Sequence, residues 1–214
     1  ANPALEIPLY TAATDVLLHL QRHPAPSGLP YLSAQEWAKA AGFALEWYRF
    51  AITGDRIDTA AFEANLTEAM QAHADRPRVM ILRDYHAENL LWLPDRTGCA
   101  RVGLQDFQLA QMGQRGYDLV SLLQDARRDV PAATEAAMIR HFLDVTGESS
   151  AEFARSYAVL GAQRALRIIG VFARLCLVSG KSGYLALLPR VWAQLQRNLA
   201  QPELAALAAV CTQL

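Results

Sequence analysis

Residues Val79–Ala110 read V-M-I-L-R-D-Y-H-A-E-N-L-L-W-L-P-D-R-T-G-C-A-R-V-G-L-Q-D-F-Q-L-A. The apolar run 90–93 predicts a short buried strand. Residues 94–98 are rich in turn-forming types, so the chain is expected to reverse direction there. Residues 101–105 then return antiparallel to the first strand. The sequence therefore predicts a small β-hairpin in the middle of the chain.

Polar side chains flank this hairpin at its open end. Asn89 stands at the start of the first strand and Asp106 follows the second, so antiparallel pairing brings the two residues together. Carboxylate and amide oxygens are the ligands that Mg²⁺ prefers. Asp84 lies five residues before Asn89. Each of these residues is common singly in solvated turns, but their combination with a hairpin predicts a reactive site.

The order of these residues resembles the catalytic and metal-binding loops of the protein-kinase-like superfamily. Residues 83–84 are similar to the end of the kinase His-Arg-Asp motif, and residues 106–108 to Asp-Phe-Gly. The motif Asp-Tyr-His at 84–86, followed by Asn-Leu-Leu, resembles the corresponding motif of the aminoglycoside phosphotransferase and choline kinase-like branch. The segments Q-R-A-L-R-I-I-G-V-F-A-R-L and G-K-S-G-Y-L-A-L-L-P-R, at residues 163–175 and 180–190, are similar to the bacterial N-acetylmuramate/N-acetylglucosamine kinase group within it.

The resemblance implies a role for each residue of the motif. Asp84 would accept the proton of a substrate hydroxyl or orient that hydroxyl, and Asn89 and Asp106 would hold the Mg²⁺ that bridges the phosphates of ATP. Three further residues would support the catalytic loop, and these are Arg83, His86 and Asp118. In the superfamily an Asp matching Asp118 accepts backbone N–H groups of that loop; the alternative is a charge at a helix N-terminus that favours the helix dipole.

The resemblance also implies a fold, α+β and mostly α. Residues 1–214 would form a single C-terminal kinase-like lobe, with catalytic and metal loops at 79–110 and a helical acceptor-side region at 117–214. The small N-terminal lobe of such enzymes carries a Gly-rich loop and a strand Lys. None of the twelve glycines forms G-x-G, and Lys39 and Lys181 lie outside strand-like runs. We expect the N-terminal lobe to lie outside this sequence.

Apolar periodicity and capping residues predict helices along most of the chain. Ser33 with Glu36 forms a capping box, which starts a helix that is expected to run to about Ala51. Asp58 or Thr59 caps the next helix, which is predicted to end at Asp-Arg-Pro, residues 75–77. The other predicted helices cover residues 5–20, 117–123, 131–145, 149 or 150 to 178, 185–199, and a last one from Pro202. Residues 113–116 are predicted to form a turn, and the pair Thr146-Gly147 to end the helix over 131–145.

Candidate substrate-binding residues come from two of these helices. Glu46, Trp47 and Tyr48 put an acid and two amphipathic rings near a helix end, a composition suited to gripping a sugar and similar to a stretch in sugar-kinase relatives. The alternative is that Trp47 and Phe50 are core residues and Glu46 is solvated. Arg164 and Arg174 are candidates to bind a charged group of the acceptor. The alternative for both arginines is a solvated outer face.

The charge distribution bears on which acceptor is expected. Residues 151–214 contain seven basic and two acidic residues, a net charge of +5, so the first 150 residues carry −6 of the total −1. The resemblance implies that the C-terminal helices form one wall of the acceptor pocket. A basic wall disfavours polycationic antibiotics and suits a neutral amino sugar or one with a carboxylate.

Composition excludes several other classes of protein. A net charge of −1 does not indicate nucleic acid or an anionic membrane as partner, and no run of 18 apolar residues could cross a bilayer. Three cysteines without C-x-x-C spacing fit a reducing cytoplasm. The sequence thus predicts a cytoplasmic ATP-dependent sugar kinase with nucleotide and sugar as partners. The alternatives are an aminoglycoside- or choline-type kinase, a catalytically silent kinase-like binding module and a structural helical domain; the oligomeric state stays open.

Overall fold

The computed structural model describes residues 5–76, 78–212 and 214. Helices dominate, and four three-residue strands accompany them within the described residues. The strands are β1 (Val79–Ile81), β2 (Leu90–Trp92), β3 (Val102–Leu104) and β4 (Gln111–Gly113). The α-helices are α1 (Glu6–Arg22), α2 (Ala34–Ala41), α3 (Phe50–Thr53), α4 (Ala60–His73), α5 (Tyr117–Leu123), α6 (Ala132–Thr146), α7 (Ser150–Ser179), α8 (Leu188–Leu199) and α9 (Ala205–Cys211). The mostly helical α+β class expected from the sequence is therefore confirmed.

The chain divides into two compact units, each assembled from two separate stretches of sequence. Unit one comprises Ala1–Tyr31 and Arg76–Phe153, and it contains the strands, α1, α5 and α6. Unit two comprises Leu32–Asp75 and Ala154–Leu214, and it contains the helices from α2 to α4, most of α7, and α8 and α9. The catalytic-loop motif and the candidate sugar-binding residues thus belong to different units.

The predicted hairpin is present in unit one, but its first strand is not buried as predicted, since Leu91 and Trp92 are exposed. Strands β2 and β3 pair antiparallel, with Leu90 opposite Leu104 and Trp92 opposite Val102. Backbone hydrogen bonds extend the ladder at both ends, including one of 2.9 Å from the N–H of Gln105 to the carbonyl of Asn89. This register puts Asn89 at the level of the residue before Asp106, as the sequence predicts.

A second strand pair was not expected from the sequence. β1 pairs antiparallel with β4, with Val79 opposite Gly113 and Ile81 opposite Gln111. A Cβ at Gly113 would collide with the Ile81 side chain, so the absence of a side chain there permits the close approach. Residues 113–116 were predicted as a turn only. The pair fixes the position at which the chain enters the loop that carries Asp84.

Unit two begins with the predicted capping box. The Ser33 hydroxyl accepts the Glu36 N–H at 3.2 Å, and the Glu36 carboxylate accepts the Ser33 N–H at 2.7 Å. The predicted single helix to Ala51 is instead three segments, namely α2, a π-helical segment Ala44–Arg49 and α3. Thr59 stands at the N-cap of α4 without a side-chain cap bond, and Asp58 Oδ1 accepts the N–H of Ala60, the first residue of the helix, at 2.9 Å. Pro77, part of the predicted stop after α4, lies outside the described residues.

The long helix α7 is largely buried in unit two. Its residues from Tyr157 to Leu166 are buried on every face, and Gln163 donates from Nε2 to the carbonyl of Trp37 at 2.9 Å. The helix predicted at 185–199 is a 3₁₀ segment, Ser182–Leu187, followed by α8, with Pro189 in the first turn of α8. Among the described residues, every helix is too short or too polar to traverse a lipid bilayer.

Candidate active site

The loop that carries Asp84 follows β1, and the carboxylate of Asp118 holds its backbone. Asp118 is 1% exposed, and its two carboxylate oxygens accept the N–H groups of Leu82 at 2.6 Å and of Arg83 at 2.9 Å. Hydrogen bonds to a carboxylate are stronger than those to a neutral oxygen. Asp118 stands in the first turn of α5, and every residue of this helix is buried. The buried helix therefore fixes the position of the carboxylate. The two bonds fix the backbone immediately before Asp84.

Backbone conformation at Arg83 is unusual for a residue with a side chain. Its φ is 70°, in the left-handed region that costs a non-glycine residue about 1–3 kcal/mol. The N–H of Arg83 is one of the two that Asp118 accepts, so the same hydrogen bond stabilises this conformation. On the far side of Asp84, Tyr85 is 2% exposed and donates its hydroxyl to the carbonyl of Ala13 at 2.8 Å. Asp84 therefore lies between two fixed residues.

The carboxylate of Asp84 is accessible, with 47% of its side chain exposed. Its Oδ1 lies 3.2 Å from Nε2 of His86, and its backbone carbonyl accepts a hydrogen bond from Nδ2 of Asn89 at 2.9 Å. Asp84 and Asn89 are thus in direct contact across the loop. An accessible carboxylate on a fixed backbone is suited to accept a proton from a bound hydroxyl.

Asn89 and Asp106 carry the oxygen atoms that suit a cation. Asn89 is 9% exposed and uses its amide nitrogen to bind the Asp84 carbonyl, so its Oδ1 is the atom suited to bind a cation. Asp106 is exposed and has a φ of 50°, a left-handed conformation just after β3. Mg²⁺ in nucleotide enzymes takes one or two protein ligands and completes its coordination with water and phosphate oxygens. An amide oxygen and an exposed carboxylate fit that requirement. In the described part of the chain, no group of three or more His, Cys, Asp or Glu side chains offers a metal site made by protein alone.

His86 is almost completely buried beside Asp84. It is 3% exposed, and its Nε2 lies 3.2 Å from Oδ1 of Asp84 and 3.3 Å from Nη1 of Arg127. Arg127 was missed by the sequence analysis. It follows α5 by four residues, in a polar stretch whose spacing carries no motif, so only the folded chain shows that it meets the catalytic loop.

Candidate sugar-binding residues lie in the π-helical segment of unit two. Trp47 is half-buried, and two guanidinium groups lie near its ring, Arg174 at 5.6 Å and Arg56 at 5.5 Å from the ring centroid. These distances are typical of cation–π contacts. Tyr48 instead packs on Trp192, with ring centroids 5.4 Å apart. Arg56 was not singled out from the sequence, because it lies in an exposed stretch with no periodic pattern.

The two arginines of α7 named from the sequence have different surroundings. Arg174 is exposed and contacts Trp47, whereas Arg164 is 5% exposed. Glu46 is half-buried in the same segment as Trp47. Of the five candidates, Trp47 and Arg174 contact each other. The exposed guanidinium of Arg174 is accessible from solvent, whereas the guanidinium of Arg164 is not.

The chain belongs to the phosphotransferase enzyme family APH, whose family model matches residues 8–154. It is 40% identical over 216 residues to an N-acetylmuramate/N-acetylglucosamine kinase of Caulobacter vibrioides, an alignment that covers 95% of this chain and 60% of that protein. It is 30% identical to a protein of the same name from Pseudomonas aeruginosa, over 93% of this chain and 61% of the relative. The chain thus spans about 60% of the length of these curated relatives.

Solved structures support the fold. A choline/ethanolamine kinase family protein from Mesorhizobium loti matches 95% of this chain and 66% of its own length, with a TM-score of 0.61 at 18% sequence identity. The similarity is one of backbone architecture. It supports the kinase-like fold that the D-Y-H and D-F-Q segments led us to expect.

Proposed function

We propose that the protein transfers the γ-phosphoryl group of Mg-ATP to a hydroxyl group of an amino sugar. The observation that carries this proposal is a fixed loop on which the side-chain carboxylate of Asp84 is accessible. The backbone carbonyl of Asp84 accepts a hydrogen bond from Asn89. Asn89 stands at the base of the hairpin, and the second strand of that hairpin leads to Asp106. The family and the names of its curated relatives support phosphoryl transfer to a sugar as the class of reaction.

In the proposed reaction Asp84 orients the acceptor hydroxyl and accepts its proton. The hydroxyl oxygen forms a bond to the γ-phosphorus while the bond from that phosphorus to the bridging oxygen of ADP breaks. Asn89 and Asp106 would hold the Mg²⁺, which offsets the negative charge of the phosphates when it is bound. The two backbone hydrogen bonds that Asp118 accepts, and the one that the buried Tyr85 hydroxyl donates, keep the Asp84 backbone fixed during this transfer.

The acceptor is proposed to be an N-acetylated amino sugar, including one that bears a carboxylate. Arg174 and Arg56 present two guanidinium groups beside Trp47, and guanidinium forms strong hydrogen bonds with carboxylate. The net charge of +5 over residues 151–214 also disfavours a cationic acceptor, whether a polycationic aminoglycoside or a choline-like monocation. The relatives' names mention N-acetylmuramate and N-acetylglucosamine, which fit this chemistry.

A panel of acceptors tests the proposal. ADP release is measured with Mg-ATP and, in turn, N-acetylmuramate, N-acetylglucosamine, glucose, kanamycin and choline, and ³¹P NMR identifies a sugar phosphate product. Turnover of the N-acetylated sugars, abolished in Asp84→Asn, supports the proposal. Faster turnover of kanamycin or choline than of any sugar contradicts it.

A further inference from the structure

The segment Asp125–Arg127 contacts three consecutive residues of the catalytic loop. Asp125 is completely buried, and its carboxylate accepts the N–H of Ala87 through Oδ2 at 3.3 Å and the N–H of Arg127 through Oδ1 at 2.8 Å. A buried carboxylate is costly unless hydrogen bonds compensate it, so these contacts constrain both backbones. The loop is thereby tied to the chain that follows α5, in addition to its bonds with Asp118.

Arg127 contacts the two residues on either side of Ala87. Its Nε lies 3.2 Å from Oε2 of Glu88, and its Nη1 lies 3.3 Å from Nε2 of His86. The guanidinium is a rigid planar group with nitrogen atoms on several edges, so one side chain can meet both partners at once. A lysine at this position offers a single ammonium group and cannot match that arrangement.

His86 connects this arginine to the catalytic carboxylate. Its ring is buried, and Nδ1 has no hydrogen-bond partner among the described residues, so Nε2 makes the ring's polar contacts. A carboxylate accepts hydrogen bonds only, so a hydrogen bond from Nε2 to Oδ1 of Asp84 places the ring proton on Nε2. Nη1 of Arg127 is also a donor, so in this tautomer it does not hydrogen-bond to His86. The guanidinium, bound to Glu88, packs against the edge of the ring and limits the rotation of His86 by contact.

We propose that Arg127 is a positioning residue for Asp84, acting through His86, and that Asp125 holds the same loop at Ala87. The inference depends on the proposed function, because its effect on rate presumes that Asp84 acts on the acceptor hydroxyl. Removal of Arg127 lets the imidazole turn, and Asp84 then loses a partner that fixes its carboxylate. Misplaced catalytic groups reduce turnover more than they reduce substrate binding.

The test compares Arg127→Ala and Arg127→Lys with Arg128→Ala in the otherwise unchanged protein. Arg128→Ala removes the same single positive charge from an adjacent position that is exposed. We expect Arg127→Ala to lower kcat by about 10- to 100-fold with KM for sugar and ATP nearly unchanged. Arg127→Lys is expected to be intermediate, and Arg128→Ala to match the wild type. Added guanidinium ion should restore part of the kcat of Arg127→Ala and none of that of Asp84→Asn.

Amide hydrogen exchange provides a readout that does not require turnover. Arg127→Ala and Asp125→Asn should speed the exchange of backbone amides 84–89, while Arg128→Ala should not. If the wild-type protein phosphorylates no sugar, the proposed function fails, and the exchange experiment still decides whether the segment holds the loop. Unchanged exchange in both variants overturns the proposal, as does equal loss of kcat in Arg127→Ala and Arg128→Ala.

Discussion

Oδ2 of Asp118 accepts the backbone N–H of Leu82 at 2.6 Å, two residues before Asp84. The second oxygen of the same carboxylate accepts the N–H of Arg83, whose φ of 70° is unfavourable for a residue with a side chain. One buried side chain on α5 therefore satisfies two consecutive donors and stabilises a left-handed backbone. The conformation of the loop depends on a residue 34 positions further along the chain than Asp84.

We predict that Asp118→Asn weakens both stability and catalysis. An asparagine offers one acceptor oxygen, and its amide nitrogen would face an N–H group that it cannot bind. A buried donor left without a partner costs about 1–3 kcal/mol, so the free energy of unfolding measured in urea should fall by that amount. The exposed Asp144 on α6 provides the control. Equal effects of Asp144→Asn and Asp118→Asn would contradict the role of the two hydrogen bonds.

Asp84→Asn should abolish turnover while ATP binding survives. In the proposed mechanism the Asp84 carboxylate acts on the acceptor hydroxyl and makes no essential contact with the nucleotide. Its side chain is 47% exposed, so the substitution leaves no buried charge unpaired and should not unfold the protein. Isothermal titration with Mg-ATP and a turnover assay are run in parallel. A residual rate above about a tenth of the wild-type value is inconsistent with a catalytic role, since loss of a general base costs about 10²–10⁴-fold.

Asp106→Asn should show the opposite pattern, with metal-dependent nucleotide binding itself reduced. A neutral amide is a weaker ligand for Mg²⁺ than a carboxylate, and Asn89 already contributes an amide. The expected signature is a higher Kd for Mg-ATP together with a requirement for more Mg²⁺ at half-maximal rate. The exposed Asp95, in the hairpin turn, provides the matched control as Asp95→Asn. An unchanged Mg²⁺ dependence in Asp106→Asn would remove Asp106 from the proposed metal site.

Gly170→Ala in α7 tests how tightly unit two is packed. Helix propensity alone favours alanine by about 1 kcal/mol. A Cβ at position 170, however, would collide with the backbone carbonyl of Phe43, which cannot turn aside as a side chain can. Overpacking costs about 1–3 kcal/mol, so we expect a net loss of stability in urea unfolding. Gly183→Ala, where a Cβ meets no atom within 4 Å among the described residues, should change stability little. A more stable Gly170→Ala protein would show that the segment around Phe43 moves easily.

Local signals in the sequence predicted much of the fold. The hairpin follows from two apolar runs around a turn, and the start of α2 from a capping box, because each depends on residues that are close in sequence. Helix α6 likewise ends at Thr146 with Gly147 at a φ of 70°, as its Thr-Gly pair predicts. The proximity of Asn89 to the end of β3 needed only the antiparallel register.

These local signals could not predict interactions between distant parts of the chain. Strand β4 has three residues and gains its identity from pairing with β1, some 30 positions earlier. The π-helical segment has apolar residues at ordinary helical spacing. Arg164 and Arg174 fall in neighbouring sectors of α7, yet Arg164 is buried and Arg174 is exposed, because neighbouring elements decide which part of a helix is covered. The contact of Arg127 with His86 has the same origin.

Arg174 and Arg56 should determine how well the protein accepts an acidic sugar. Both guanidinium groups lie beside the ring of Trp47, and N-acetylmuramate carries a carboxylate that N-acetylglucosamine lacks. A charge-assisted hydrogen bond contributes about 1.5–3 kcal/mol, so Arg174→Ala or Arg56→Ala should raise KM for N-acetylmuramate about tenfold or more.

The KM for N-acetylglucosamine should change little in either variant, because this sugar offers no carboxylate to the arginines. Trp47→Leu should give the same selective effect, since loss of the ring removes the surface that both guanidinium groups contact. Arg140→Ala, an exposed arginine on α6, controls for the loss of one positive charge. Initial rates over a range of each sugar at saturating Mg-ATP provide the KM values. Equal increases for the two sugars would show that the arginines contribute to packing around Trp47 and do not select the carboxylate.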